Sequence, residues 1–373
     1  MRTVRILVTL LLICVSTSFA QTTSSPTVAF VYLGDRGTHR ITAFSLQANG
    51  SAHPVPGSPF SSAALSNGFP STSLAASTNF VFATDSEHIA TFRRSANGAL
   101  TFASVVDATV SEGADIVETL TLDRSASNLY AGSRVKLQVF DKGAQGQLTA
   151  ASERSVDQSS GELQFNHSNK FAYRTFQPFD NLAGPGQLCL FEAYSRAADG
   201  SLNPFDPQLA RPTGVAESDF CPASVASSAH GYVAVAYRTL DSERQLGTGV
   251  HSIAVYWILP SGELSLVSNF VTTLDALVPI TLKFDPSGNF LAAAGSQGIQ
   301  LYKLGSTGKL AKSGSPLYTH THFREVRWDN SGHVVTISFG AVYFFGLKNG
   351  QLVQTNSPIS VGGTRDIKIV SLH

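Results

Sequence analysis

Short apolar runs rich in Val, Phe, Thr and Tyr alternate with polar turns along the chain, which is the patterning of an all-β protein. The runs recur as a unit. A polar turn with Asn or Gly is followed by an apolar strand, a gap, a second apolar strand, a Gly turn and a Leu-Thr-like third strand. Residues 77–102 (STNFVFATDSEHIATFRRSANGALTF) and 124–149 (RSASNLYAGSRVKLQVFDKGAQGQLT) show it clearly. So do residues 285–310 (DPSGNFLAAAGSQGIQLYKLGSTGKL) and 329–353 (DNSGHVVTISFGAVYFFGLKNGQLV). The strand after the polar turn begins near Phe30, Phe80, Leu129, Phe171, Val233, Phe290 and Val334, at spacings of about 50, 49, 42, 62, 57 and 44 residues. Seven copies with a period near 50, each built from four short strands, predict a seven-bladed β-propeller.

The two ends of the chain support the ring. The first copy lacks a leading strand, since the apolar run at Val28 starts directly on AFVYLGD. The last ten residues, Thr364 to His373, alternate like a strand but have no copy after them. Pairing this orphan strand with blade 1 closes the ring and removes two open sheet edges. Within IATFRR, Ile89 and Thr91 point to one face and Ala90 and Phe92 to the other, as in a blade packed on both sides. Asn97-Gly98 and Asn349-Gly350 are hairpin turns of the kind that need positive φ. A pair of β-sandwiches would account for neither the period nor the orphan strand.

The N-terminus changes the picture of where the chain works. Arg2 and Arg5 precede an apolar stretch from Ile6 to Val15, and Ser18-Phe19-Ala20 follows with small residues at the positions a signal peptidase reads. This predicts a secretory signal over residues 1–20, a linker over 21–27 and one propeller over 28–373, exported to a periplasm or the extracellular space. An uncleaved anchor is the alternative. No later run is long enough to span a bilayer as a helix. The whole chain balances 26 basic against 26 acidic residues, and loss of Arg2 and Arg5 leaves 24 against 26. Neither nucleic acid nor a membrane surface is an expected partner of so weak a field. The mature chain holds Cys189 and Cys221, a disulfide candidate in an oxidising compartment or else two buried thiols.

The unit DPSGNFLAAAGSQGIQLYKL resembles the blade of the lactonase-type seven-bladed propellers, which include 6-phosphogluconolactonase-like proteins and their YVTN-repeat relatives. Residues 30–60 (FVYLGDRGTHRITAFSLQANGSAHPVPGSPF) look like such a unit as well, and the resemblance extends over about residues 28–373. It implies the seven-bladed propeller fold and a lactone-directed activity, on a fold that hosts many functions. The turn elements of blades 4 and 5, at residues 166–170 and 228–231, depart from the pattern. The family's catalytic His, Arg and Glu find no secure counterparts, and none is carried over.

The tetrapeptide AYRT ends the second strand of both blade 4 and blade 5, at Ala172–Thr175 and Ala236–Thr239. The loops that follow are long, while the equivalent loops in blades 2 and 6 are short. Long insertions on one face of a repeat protein usually form its binding face. Arg174 and Arg238 are therefore expected on one rim, where two guanidiniums could grip a carboxylate or phosphate. The plainer alternative is that they are solvated or paired with Asp180 and Asp241. Arg36 and His39 lie in the equivalent loop of blade 1. His320, His322 and Arg324 are expected near the same mouth, with a histidine as base and an arginine as oxyanion partner. His320 and His322 would share one side of a strand, but no third metal ligand is visible, so no metal or other cofactor is expected.

Motifs of serine hydrolases, nucleotide-binding loops and zincins are absent from the sequence. Two readings of function remain. One is an exported, metal-independent hydrolase or isomerase of a lactone or anionic sugar derivative at the channel mouth. The other is a noncatalytic exported propeller that binds a small anion, a glycan or a protein on its loop-rich face.

Overall fold

The computed structural model describes residues 25–35, 38, 40–61, 73–85, 87–108, 117–133, 135–156, 161–175, 190–213, 221–238, 251–272 and 279–372. Their strands form seven antiparallel sheets, in the four-strand pattern that the repeat predicts. Blade 1 takes β1 (Thr27–Asp35), β2 (Ile41–Gln47) and β3 (Ala52–Pro54). Blade 2 takes β4 (Leu74–Ala76), β5 (Phe80–Thr84), β6 (His88–Arg94) and β7 (Leu100–Asp107). Blade 3 runs β8 (Thr119–Leu122), β9 (Asn128–Gly132), β10 (Lys136–Lys142) and β11 (Leu148–Ser155). Blade 4 runs β12 (Gln164–Phe165), β13 (Phe171–Thr175), β14 (Phe191–Arg196) and β15 (Leu202–Phe205). Blade 5 holds β16 (Cys221–Ser227), β17 (Tyr232–Arg238), β18 (Ser252–Ile258) and β19 (Leu264–Thr272). Blade 6 holds β20 (Pro279–Phe284), β21 (Phe290–Gly295), β22 (Gly298–Leu304) and β23 (Leu310–Leu317). Blade 7 comprises β24 (Phe323–Trp328), β25 (His333–Ser338), β26 (Ala341–Lys348) and β27 (Gln351–Gln354), with the short β28 (Ile359–Ser360) also paired to β26.

The orphan strand closes the ring as predicted. β29 (Thr364–Ser371) pairs antiparallel with β1, from Ala29 opposite Ser371 to Asp35 opposite Thr364, and becomes the innermost strand of blade 1. The inner strands β29, β4, β8, β12, β16, β20 and β24 thus surround a central channel.

Among the described residues there is no single core. Seven buried clusters lie one per blade interface. Ala90 and Phe92 join the cluster shared with blade 1, while Ile89 joins the one shared with blade 3, as strand alternation requires. Each interface is also pinned by a turn. Tyr32, Tyr130 and Tyr173 donate their hydroxyls to the carbonyls of Gly98, Gly200 and Gly262 in the hairpin turn of the next blade, at 2.8–2.9 Å. Glycine is needed where these turns meet a neighbour. Gly146 has φ +83°, and a Cβ there would lie 2.5 Å from the Phe80 ring.

The turn between first and second strands is held by one polar side chain in blade after blade. Asp123, Asn166, Asp285 and Asp329 each accept backbone N–H bonds four or five residues on. Asn166 shows that blade 4 keeps this turn despite its altered sequence. No helix among the described residues is long and apolar enough to cross a membrane.

Candidate functional site

Arg174 and Arg238 do end the second strands of blades 4 and 5. Arg174 is not a rim residue, however. Its side chain is fully buried, and its Nε donates to Glu192 Oε2 at 2.5 Å across the β13–β14 pair. Its Nη2 donates to the Tyr194 hydroxyl at 3.1 Å, and that hydroxyl donates to Glu192 Oε2 at 2.9 Å. The guanidinium also lies 5.6 Å from the centroid of the Tyr194 ring. The structure places Arg174 inside the blade instead of on a rim, with Glu192 opposite it on β14 taking its Nε, Tyr194 taking its Nη2, and its buried Nη1 without a hydrogen-bond partner among the described residues. The partner expected from sequence, Asp180, lies outside the described residues, as do Asp241, Arg36, His39, Cys189 and the side chain of Arg238. Cys221 is disulfide-bonded.

The His-x-His expectation also changes. His320 is an exposed turn residue, and β24 begins only at Phe323, so strand alternation does not apply to the two rings. His322 packs 5.5 Å from the Phe339 ring, and the Arg324 guanidinium sits 3.7 Å above the same ring. Phe339 is 67% exposed in the turn after the second strand of blade 7. These groups form an aromatic–cation cluster on the face of the inter-blade loops. No group of His, Cys, Asp and Glu among the described residues could hold a metal ion.

The charged centre of the molecule lies inside the channel, on inner strands. β20 supplies Lys283, β24 supplies Glu325 and Arg327, and β29 supplies Asp366 and Lys368. Glu162, just ahead of β12, reaches across from blade 4. Arg327 Nη2 donates to both Glu162 oxygens at 2.8 Å, Lys283 Nζ donates at 2.9 Å, and Lys368 Nζ lies 3.3 Å away. Lys368 also pairs with Asp366 at 2.7 Å and lies 3.6 Å from Glu325, while Arg327 pairs with Glu325 as well. Asp366 Oδ2 accepts from Leu74 N–H at 2.7 Å and from Ser73 Oγ at 2.8 Å; Glu325 Oε2 accepts from Ile367 N–H at 2.9 Å. Three cations and three carboxylates are therefore cross-linked through four blades.

Burial and mutual charge set their protonation. Burial alone would raise the Glu162 carboxyl, but Arg327, Lys283 and Lys368 hold it well below the usual carboxylate range. Glu325 is pushed up to about 7, by burial first and with Asp366 and Glu162 adding to it against the pull of Arg327 and Lys368. Lys283 is pushed down to about 8 by burial and by Arg327, against the pull of Glu162.

A cavity of about 190 Å³ adjoins this cluster, lined by Glu162, Arg327, Lys368, Thr121 and Trp328 among others. Leu122, Trp328 and Ala76, which also line it, are the last residues of their inner strands. The cavity thus lies towards the end of the channel opposite the loops that follow the second strands. From Phe323 to Trp328 the backbone of β24 covers about 16 Å, so the Phe339 cluster and the cavity sit at opposite ends of the same strand. These inner-strand charges lie away from the loop-rich mouth that the long insertions point to. A signal was present: Glu325-Val326-Arg327 and Asp366-Ile367-Lys368 put opposite charges at period two on strands packed on both sides.

No protein-family model matches the sequence, and no curated protein matches it significantly. Solved structures do share its fold. A candidate 6-phosphogluconolactonase from Bacteroides uniformis superposes with a TM-score of 0.66 at 15% identity, covering 92% of this chain and 100% of that one. The periplasmic gluconolactonase of Pseudomonas aeruginosa gives 0.63 at 14% identity, over 93% and 100%. A protein from Lactobacillus plantarum gives 0.62 at 13% identity, over 92% and 99%. The chain has a seven-bladed propeller fold and shares it with these structures, two of which carry a lactonase name.

Proposed function

We propose that this chain is an exported lactonase-like propeller that handles a lactone or small anionic sugar derivative in its central channel. The observation that carries the reading is the cavity beside Glu162, Arg327 and Lys368, the described void where cations and a carboxylate converge. Lactone hydrolysis needs a cation for the developing oxyanion and a base for the attacking water. Arg327 and Lys368 suit the first role and Glu162 the second. The names of two fold neighbours, a candidate 6-phosphogluconolactonase and a gluconolactonase, favour a sugar lactone. Export is supported by the signal-like N-terminus, the disulfide at Cys221 and the periplasmic location in one neighbour's name.

A noncatalytic binding propeller is the second reading, and one observation favours it. Glu162 is held so firmly in its ionised form that it is a weak base. Proton release from a panel of sugar and aliphatic lactones, phosphorylated ones included, separates the two. Purified residues 21–373 should open at least one lactone well above background, with no loss on adding a chelator. A flat panel together with measurable binding of the same compounds would establish the noncatalytic reading instead.

A further inference from the structure

Glu162 differs from the other two channel carboxylates. Asp366 and Glu325 are each anchored by a backbone N–H, from Leu74 and Ile367 respectively, and they sit on inner strands that pair at seven and five positions. Glu162 lies outside any strand, ahead of an inner strand of only two residues, Gln164–Phe165. The bonds described for its carboxylate come from side chains: Arg327, Lys283 and Gln164, with Lys368 at ion-pair distance. Those three cations come from blades 7, 6 and 1, across the channel from Glu162.

The charges define what the seat holds. Lys283, Arg327 and Lys368 bring three positive charges; Asp366 returns one negative charge, and Glu325 a second as it ionises through about pH 7. With Glu325 ionised, the described set is short by one negative charge, and one carboxylate gripped by both oxygens supplies it. The cavity continues from this seat past Thr121 and Trp328. At about 190 Å³ it is below the range typical of drug-sized ligands, so it suits a small body carrying hydroxyls.

We infer that Glu162 is an exchangeable occupant of a carboxylate seat formed by Lys283, Arg327 and Lys368, and that a small hydroxy-carboxylate takes this seat by displacing it. The inference rests on the channel being the ligand site and deepens that reading, because ring opening of a lactone yields a hydroxy-carboxylate. Glu162 then competes with the ligand for the same three cations and sets its affinity.

Trp328 lines the cavity, and the chain has two tryptophans, so Trp257→Phe leaves Trp328 as the only fluorophore at the site. Titrating this variant with sodium gluconate at constant ionic strength should give a saturable change in emission in the millimolar range. Adding Glu162→Gln should tighten the response about tenfold or more, and adding Lys368→Met to that should abolish it. Glu162→Asp, which shortens the competing arm, should fall between and serves if the Gln variant does not fold. No saturable response in the Trp257→Phe protein, an equal response to sodium chloride, or no tightening in either Glu162 variant would overturn the inference. Its failure is separable from that of the lactonase reading. Lactone turnover without gluconate binding at the seat sinks the exchange alone, while gluconate exchange with a flat lactone panel sinks the hydrolase alone.

Discussion

Replacing Arg174 with Met should destabilise the fold and leave ligand handling intact. The guanidinium is fully buried, whereas its partner Glu192 is 22% exposed. Breaking a buried ion pair from one side costs about 3–5 kcal/mol, because the remaining charge is left without compensation. Partial solvent access lets Glu192 recover some hydration, which puts the expected cost near 3 kcal/mol. The Tyr194 hydroxyl also loses a donor but keeps its bond to Glu192, and adds little. For a propeller of about 350 residues the loss corresponds to a fall in Tm of roughly 4 °C. The double variant Arg174→Met, Glu192→Met removes both charges and should recover most of the loss, since apolar replacement of a buried pair is often neutral. Thermal unfolding followed by circular dichroism, in parallel with gluconate titration, is the assay. A Tm within about 1 °C of wild type combined with lost gluconate binding would refute the reasoning and return Arg174 to the binding face.

Two further outcomes are expected. Glu325→Gln should change stability in a pH-dependent way. In the folded chain Glu325 keeps its proton up to about pH 7, but in the unfolded chain only to the ordinary value of 4.5. The folded state therefore binds more protons between those values, and this contribution is present at the acid end and lost as pH rises through about 7. Arg327, Lys368, Asp366 and Glu162 all face this group. The Tm of the Gln variant relative to wild type should be more favourable at pH 8 than at pH 5, by at most about 3 kcal/mol in stability; a pH-independent difference would contradict the assignment. Removing residues 364–373 should abolish cooperative unfolding, since it strips β29 from β1 and takes Ile367, Asp366 and Lys368 out of the ring. A truncated chain that melts as sharply as wild type would show that closure is dispensable.

The repeat was legible because each blade restates the same constraints. The Asp or Asn at the first turn, the glycine at the hairpin and the apolar alternation of residues such as Ile89 to Phe92 recur at one period. The closing strand was legible because 364–373 had nowhere else to pair. The site was less so. Arg174 reads as a rim residue until Glu192 is seen opposite it, and that pairing follows from a hairpin whose connecting loop hides the register. His320 and His322 read as a strand pair until β24 is seen to start after them. Lys283, Arg327 and Lys368 lie far apart in sequence, and only ring closure brings them to Glu162. Propeller geometry gathers one residue from each of several blades, and no local motif records such a set.

Rates of lactone opening in two groups of variants, each checked for folding, test the central claim most directly. On the proposed reading the working groups lie in the channel and not at the His320 mouth. Lys368→Met and Arg327→Met should each lower turnover about a hundredfold or more, as loss of an oxyanion partner does. The triple variant His320→Ala, His322→Ala, Arg324→Ala should stay within about twofold of wild type. The reverse pattern, with turnover surviving in folded channel variants and lost in the triple variant, would contradict the account.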